Sequence, residues 1–244
     1  MKKISLCSLL ISLMFNCTAQ QIVNVVFVGN NGVTENIKEA HSFIVVKKYP
    51  NNYKRLDYTF NAPLIKERNY SDSLLEVLQG NYYEYAVNGS LSKSGVYQNN
   101  LREKEWYTYN DTGKVILIEK YEAGLLTTTI NPDTVKKEER PDAVTAVEKE
   151  AQFKKSDKDW KKYLTSNLNA EVAQGSLKGG MVMVKFVVNT AGECTQVHMA
   201  KSVEYVLDEE ARRVIENSPL WQPAVQNGRI VNAYRRQPIT FSKQ

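Results

Sequence analysis

Two hydrophobic periods divide the chain. Between Tyr49 and Tyr121 short aromatic and β-branched runs alternate with polar turn residues. Trp106-Tyr107-Thr108-Tyr109 and Val115-Ile116-Leu117-Ile118 flank Asn110-Asp111-Thr112-Gly113, which reads as strand, turn, strand. The unit recurs. Tyr58 and Tyr70, Tyr85 and Tyr97, and Tyr109 and Tyr121 are each twelve apart, and eleven of the 14 tyrosines fall in this stretch. The second and third units superpose at 24 residues, Tyr82 on Trp106, Tyr85 on Tyr109, Gly89 on Gly113 and Tyr97 on Tyr121. The first lies 27 ahead of the second and has Ala62 where the others have glycine. A fixed period of this size predicts serial supersecondary units. Here they are hairpins forming an elongated antiparallel sheet with aromatic rows, in which cross-strand pairs contribute ~0.2–1 kcal/mol each.

From Thr127 to Ala143 the sequence is polar, with Pro132 and Pro141, and is expected to be a linker. Beyond it the spacing becomes helical. Ser156 and Asp159 form a capping box ahead of Trp160, Tyr163, Leu164 and Leu168. Met181 to Val188 alternates as a strand, with Val182, Val184, Phe186 and Val188 on its apolar face. Asn189-Thr190-Ala191-Gly192 is a turn into a second strand through Thr195, Val197 and Met199. Leu207, Ala211, Val214, Ile215 and Ser218 trace a helix that Pro219 ends, and Trp221 is expected to plug the core. A last strand from about Ile230 to Phe241 contains Pro238, which predicts a sheet edge because proline cannot donate to a ladder. The order predicts an α+β fold: a hairpin-repeat sheet followed by two helices on a small antiparallel sheet.

At 244 residues, with 42% hydrophobic and 24% charged residues, the chain has room for two packed domains. Met1 to Gln20 reads as an export signal: Lys2 and Lys3, an apolar stretch from Ile4 to Phe15, and small residues at Cys17 and Ala19. That stretch is shorter than the roughly 20 residues a spanning helix needs. Losing the two leader lysines lowers the net charge from +5 to +3, too little for a nucleic-acid partner. Cys194 would then be the only cysteine, so no internal disulfide forms.

Catalytic chemistry is poorly served. His41 and His198 are the only histidines, and Cys194 and His198, four apart on a strand, stand ~13 Å from each other, too far to share one zinc ion. Nucleophile elbow, phosphate loop and dinucleotide fingerprint are all missing. Asp208-Glu209-Glu210 read as helix-start acids favoured by the dipole. No enzyme, cofactor or metal site is expected.

Gly95-Val96-Tyr97-Gln98-Asn99-Asn100, followed by Trp106, Tyr109, Gly113 and Tyr121, resembles MORN-type repeats over about residues 58–124, departing at Lys104, where such repeats carry glycine. Gly180 to Gly192, Leu207-Asp208 with Ala211, Pro219 to Ala224, Gly228 and Pro238 to Phe241 resemble the TonB C-terminal domain, over residues 147–244. It departs at Asn169-Ala170, where the family often has Tyr-Pro. The resemblance implies a periplasmic protein that binds an extended segment of an outer-membrane receptor by β-strand addition, linked to the membrane only indirectly and serving transmembrane transport. The implied partner-binding residues are Val231, Asn232, Ala233, Tyr234, Arg235, Arg236 and Gln237, with odd and even positions on opposite sides. A homodimer through strand exchange is a further implied use of that edge. Expected divisions are a signal peptide at 1–19, a repeat domain at 20–126, a linker at 127–146 and a TonB-like domain at 147–244. The alternatives are a short energy transducer that keeps its leader as an anchor, and an envelope scaffold whose repeat half holds a partner.

Overall fold

The computed structural model describes residues 21–134, 148–153, 156–169 and 171–242. The expected signal peptide and most of the expected linker lie outside these. Ten strands in the first half form one antiparallel sheet. In chain order they are β1 (Gln21–Gly29), β2 (Gly32–Thr34), β3 (Ala40–Lys48), β4 (Tyr53–Thr59), β5 (Leu64–Tyr70), β6 (Leu78–Tyr85), β7 (Leu91–Gln98), β8 (Leu101–Tyr109), β9 (Val115–Glu122) and β10 (Leu125–Ile130). From β3 to β10 each strand pairs with its successor, while β1 lies between β2 and β3. Strand β10 runs through Thr127, Thr128, Thr129 and Ile130, residues expected in the linker, because their β-branched side chains suit a pleated surface.

The 24-residue period is the β6–β7 hairpin followed by the β8–β9 hairpin. Their turns close alike, with Ala86 N–H donating to Ser90 O and Asn110 N–H donating to Lys114 O, both at 2.9 Å. Gly89 and Gly113 take φ of +83° and +79° there. In the irregular first unit, β4 and β5, the left-handed position falls on Asn61 (φ +52°) instead of Ala62, since asparagine tolerates that conformation.

Adjacent tyrosines on one strand face opposite ways, and the sheet uses both faces. Tyr82, Trp106 and Tyr121 pack with Tyr97 on one side. Tyr58, Leu64, Tyr83, Tyr85 and Leu91 join the core of the second half on the other.

That second half begins with β11 (Gln152–Phe153) and helix α1 (Asp157–Asn167), capped by Ser156 Oγ, which accepts from Asp159 N–H at 3.2 Å. A short helix α2 (Val172–Gly175) follows, then β12 (Gly180–Val188), β13 (Cys194–Lys201) and helix α3 (Tyr205–Glu216). Strand β14 (Trp221–Gln222) pairs with β11, and β15 (Ala224–Gln226) with β16 (Arg229–Val231). The final strand is β17 (Ala233–Phe241), in a three-stranded sheet ordered β13-β12-β17. Trp221 is buried with the rings of Phe153, Trp160 and Phe186 around it.

Helix α3 joins the halves. Leu207, Ala211, Val214 and Ile215 are fully buried, as the apolar stripe requires, but so are Asp208 and Arg212. Asp208 lies in the first turn of α3, as the dipole reading expects, with Glu209 and Glu210 following it, and all three side chains are also joints to the large sheet and neighbouring loops. Asp208 Oδ2 accepts from the Tyr58 hydroxyl at 3.0 Å and from the Ser202 hydroxyl, and Oδ1 accepts from Val203 N–H at 3.0 Å. Arg212 donates to Glu67 at 2.8 Å and to Val197 O at 2.8 Å. Lys54 lies 2.7 Å from the other Glu67 oxygen, and buried Lys47 pairs with Glu209. Glu210 accepts from Asn169 N–H at 2.7 Å, fixing the loop after α1. Burial opposes ionisation of Glu67, but its two cations outweigh that and bring its pKa down to about 2.

Candidate functional site: the open edge of the small sheet

A three-stranded sheet has two edges, and here they differ. The β13 edge is occupied: Val197 O accepts from Arg212, Ser90 bridges to Lys201, and Ser202 N–H donates to Gly89 O at 2.8 Å. Gly89 lies so close to that segment that a Cβ would sit 2.1 Å from Ser202 O. Strand β17 pairs with β12 from Ala233 to Phe241, and among the described residues no strand pairs with its other side. Half of its main-chain donors and acceptors therefore point outward, the usual requirement for strand addition.

Seven residues were expected here, and the structure distributes them. Val231 belongs to β16 and pairs with Ala224 in a hairpin turned by Asn227 and Gly228, both at positive φ. Asn232 lies between strands, and its side-chain oxygen accepts from Thr190 N–H at 3.1 Å. Ala233 to Gln237 lie on β17. Ala233 faces the core, while Tyr234 is 65% exposed. Arg235 points toward the helix side, 3.5 Å from Glu150 and 3.9 Å from Asp157, with its guanidinium 5.8 Å from the Trp221 ring centroid. Gln237 accepts from Trp160 Nε1 at 2.6 Å. Arg236 is exposed on the other side. Pro238 lies opposite Met183, within the strand.

Three residues that sequence reasoning missed complete the surface. Lys185, on β12, holds its ammonium 4.6 Å from the Tyr234 ring centroid. Its pKa is lowered, first by burial and then by Arg236. His198 is the β13 partner of Lys185 and stacks on Tyr83 of the large sheet with centroids 4.1 Å apart. Burial pulls its pKa down to about 4, so it is neutral near pH 7. Tyr109, close enough to feel Tyr234 and Arg236, is held by Ser94 at 2.9 Å. Lys185 and His198 meet through cross-strand register, and Tyr109 joins them through packing of the large sheet on the shared core, neither of which sequence spacing alone specifies.

Cys194 sits 3.3 Å from the Ser218 hydroxyl, and burial pushes its thiol up to about 11, so it is not a poised nucleophile. Among the described residues, no group of three or more His, Cys, Asp or Glu is placed to hold a metal. A cleft of about 440 Å³ lies between Tyr49, Asn52, Asn81 and Gln196 and, among the described residues, contains no such arrangement.

Fold and site together define a small α+β domain with one capped and one open sheet edge, fused to a large antiparallel sheet. Residues 171–242 match the family described as Gram-negative bacterial TonB protein C-terminal. The match takes in β12, β13, α3 and β17 and leaves out α1 and the ten-stranded sheet. No curated protein and no solved structure matches the chain.

Proposed function

We propose that the chain is a non-catalytic protein of the cell envelope that takes up an extended segment of an outer-membrane receptor or transporter as a fourth strand along β17, in the service of transmembrane transport. The observation carrying this reading is the asymmetry of the small sheet: β17 has one neighbour among the described residues, whereas Arg212, Ser90 and Gly89 occupy the β13 edge. Strand β10 also ends a sheet, but the family match covers β17 and not β10.

In this reading Ala233 to Gln237 supply the contact, while Val231 and Asn232 anchor its start. The leader at 1–19 is removed on export, which puts the protein in the periplasm. No helix among the described residues is long and apolar enough to cross a membrane. The divisions at 20–126, 127–146 and 147–244 belong to the same proposal, as does the MORN-type character of the first half. Burial of Tyr58, Tyr82, Tyr83, Tyr85, Trp106 and Tyr121 favours a supporting frame over an aromatic binding face.

Amide exchange on the whole chain tests this, with and without the periplasm-facing extended segment of an outer-membrane receptor. New protection should concentrate at 233–241. Protection confined to β10, or absent at every receptor segment tried, rejects the reading. Protection at 233–241 that rises with protein concentration alone assigns the edge to a second copy.

A further inference from the structure

One row of side chains crosses the small sheet on the face that carries Tyr234. His198, Lys185 and Arg236 are consecutive cross-strand partners on β13, β12 and β17. Lys185 and Arg236 therefore stand directly opposite each other as like charges, an arrangement that destabilises a sheet. Around them are Tyr83, stacked on the neutral His198, and Tyr234 and Tyr109. The carboxylates of this neighbourhood are engaged elsewhere: Glu150 and Asp157 meet Arg235 on the opposite face, and Glu67 meets Arg212 and Lys54. Among the described residues no ion pair forms at Lys185 or Arg236. The row is closed at its β13 end by Tyr83 and runs out at its other end onto the open edge.

We infer that Arg236 and Lys185 select the incoming strand by a carboxylate side chain placed opposite Arg236. This rests on strand addition at β17 and names the chemistry of the segment added. The Lys185 ammonium already lies over β17, at the Tyr234 ring, so it reaches toward the edge across the strand that separates it from the ligand. Whichever way an added strand runs, one of its residues comes opposite Arg236 on this face, and those two positions away come opposite Tyr234 and Pro238. The favoured segment carries Asp or Glu between two apolar or aromatic residues at alternate positions. Acid at that place converts a like-charge pair into an alternating row, and the half-buried lysine gains a counter-ion that none of the described residues supplies. The large sheet takes part too, since its Tyr83 and Tyr109 wall one side.

The test uses the whole chain and three nine-residue peptides of alternating valine and threonine, with Glu, Gln or Lys at the centre. Binding is followed by peptide fluorescence anisotropy, with amide exchange to locate it. The Glu peptide should bind about fivefold more tightly at low ionic strength, and most of that preference should vanish near 1 M salt. Arg236→Gln should narrow the preference, and Arg236→Glu should reverse it toward a Lys-centred peptide. Because Arg236 is exposed and faces a like charge, Arg236→Gln should also leave the unfolding midpoint equal or higher. Equal affinity for the Glu and Gln peptides at 233–241 overturns carboxylate selection while sparing strand addition. Failure of every peptide to bind overturns both. A lower midpoint in Arg236→Gln reveals a counter-charge already in place and overturns the selection on its own.

Discussion

Lys104 holds a left-handed backbone, φ +60°, at the place where the preceding unit, 24 residues earlier, has Gly80 at φ +100°. A residue with a Cβ in that region is strained by about 1–2 kcal/mol. Lys104 is exposed, so Lys104→Gly should raise stability by about 0.5–1 kcal/mol in urea unfolding, after the added freedom of the unfolded chain is counted. Gly95 shows the converse, because a Cβ there would sit 2.1 Å from the buried Trp106 ring. Gly95→Ala should destabilise by about 1–3 kcal/mol and alter tryptophan emission. Two buried titrating groups set a pH dependence. Burial raises Asp208 to about 6 from an ordinary 3.8, so between those pH values the folded chain keeps a proton that the unfolded chain has released. Acidification through that window therefore stabilises the fold. His198, at about 4 instead of 6.5, refuses a proton that the unfolded chain accepts, and acidification there destabilises. The two slopes oppose each other. From pH 7 to pH 5 the parent should lose under about 1 kcal/mol, and Asp208→Asn, left with His198 alone, about 2 kcal/mol. Equal losses in the two proteins would show that Asp208 is already ionised in the folded state near pH 5.

At the level of elements, the sequence was readable wherever local pattern decides the outcome. The 24-residue period marked the hairpins, Ser156 the start of α1, Leu207 to Ile215 the buried stripe of α3, and Pro238 the edge strand. Long-range partners were illegible. Asp208 and Arg212 look like ordinary surface charges of a helix until Tyr58 and Glu67, about 145 residues away in sequence, arrive opposite them. The candidate site was likewise half legible: alternation placed Tyr234 and Arg236 on one face, but Lys185 joined them only through register. The break at Asn232 escaped notice because Ile230 and Val231, read as the start of the last strand, belong instead to the hairpin turned just before them by Asn227-Gly228, an efficient two-residue turn with both φ positive. The partners of α3 also rank its substitutions. Glu67 serves two cations, so Glu67→Gln leaves Arg212 and Lys54 both uncompensated in the interior and should cost about 3–5 kcal/mol. Arg212→Met leaves Glu67 paired with Lys54 and should cost about 2 kcal/mol. Denaturant midpoints check the order, and a reversal would place the critical charge on the arginine.

Across the whole molecule, the sequence suggests two domains on a linker, yet one buried core spans the two sequence halves. The core containing Val182, Met199 and Leu207 also contains Val45, Leu56, Tyr58 and Leu64 from the large sheet. Phe43 and Tyr58 pack edge-on against Tyr205 at the start of α3, and Leu64 N–H donates to Ser202 at 2.7 Å. Separating the halves would strand Asp208 without Tyr58 and Arg212 without Glu67, and would expose the apolar side of α3. Removing one partner of a buried ion pair alone costs about 3–5 kcal/mol, comparable with much of the stability of a small domain. The whole chain should therefore unfold in one transition, followed alike by tyrosine and tryptophan signals, because Tyr58 and Trp221 belong to one core. A fragment of residues 148–242 should show a lower midpoint, faster amide exchange along α3, and binding of an exposed-hydrophobe dye. An excised fragment as stable as its counterpart in the whole chain would make the large sheet a passenger. Failing that, the frame and the strand-binding edge are one mechanical unit, and a pull on β17 is carried through β12, β13 and α3 into the ten-stranded sheet.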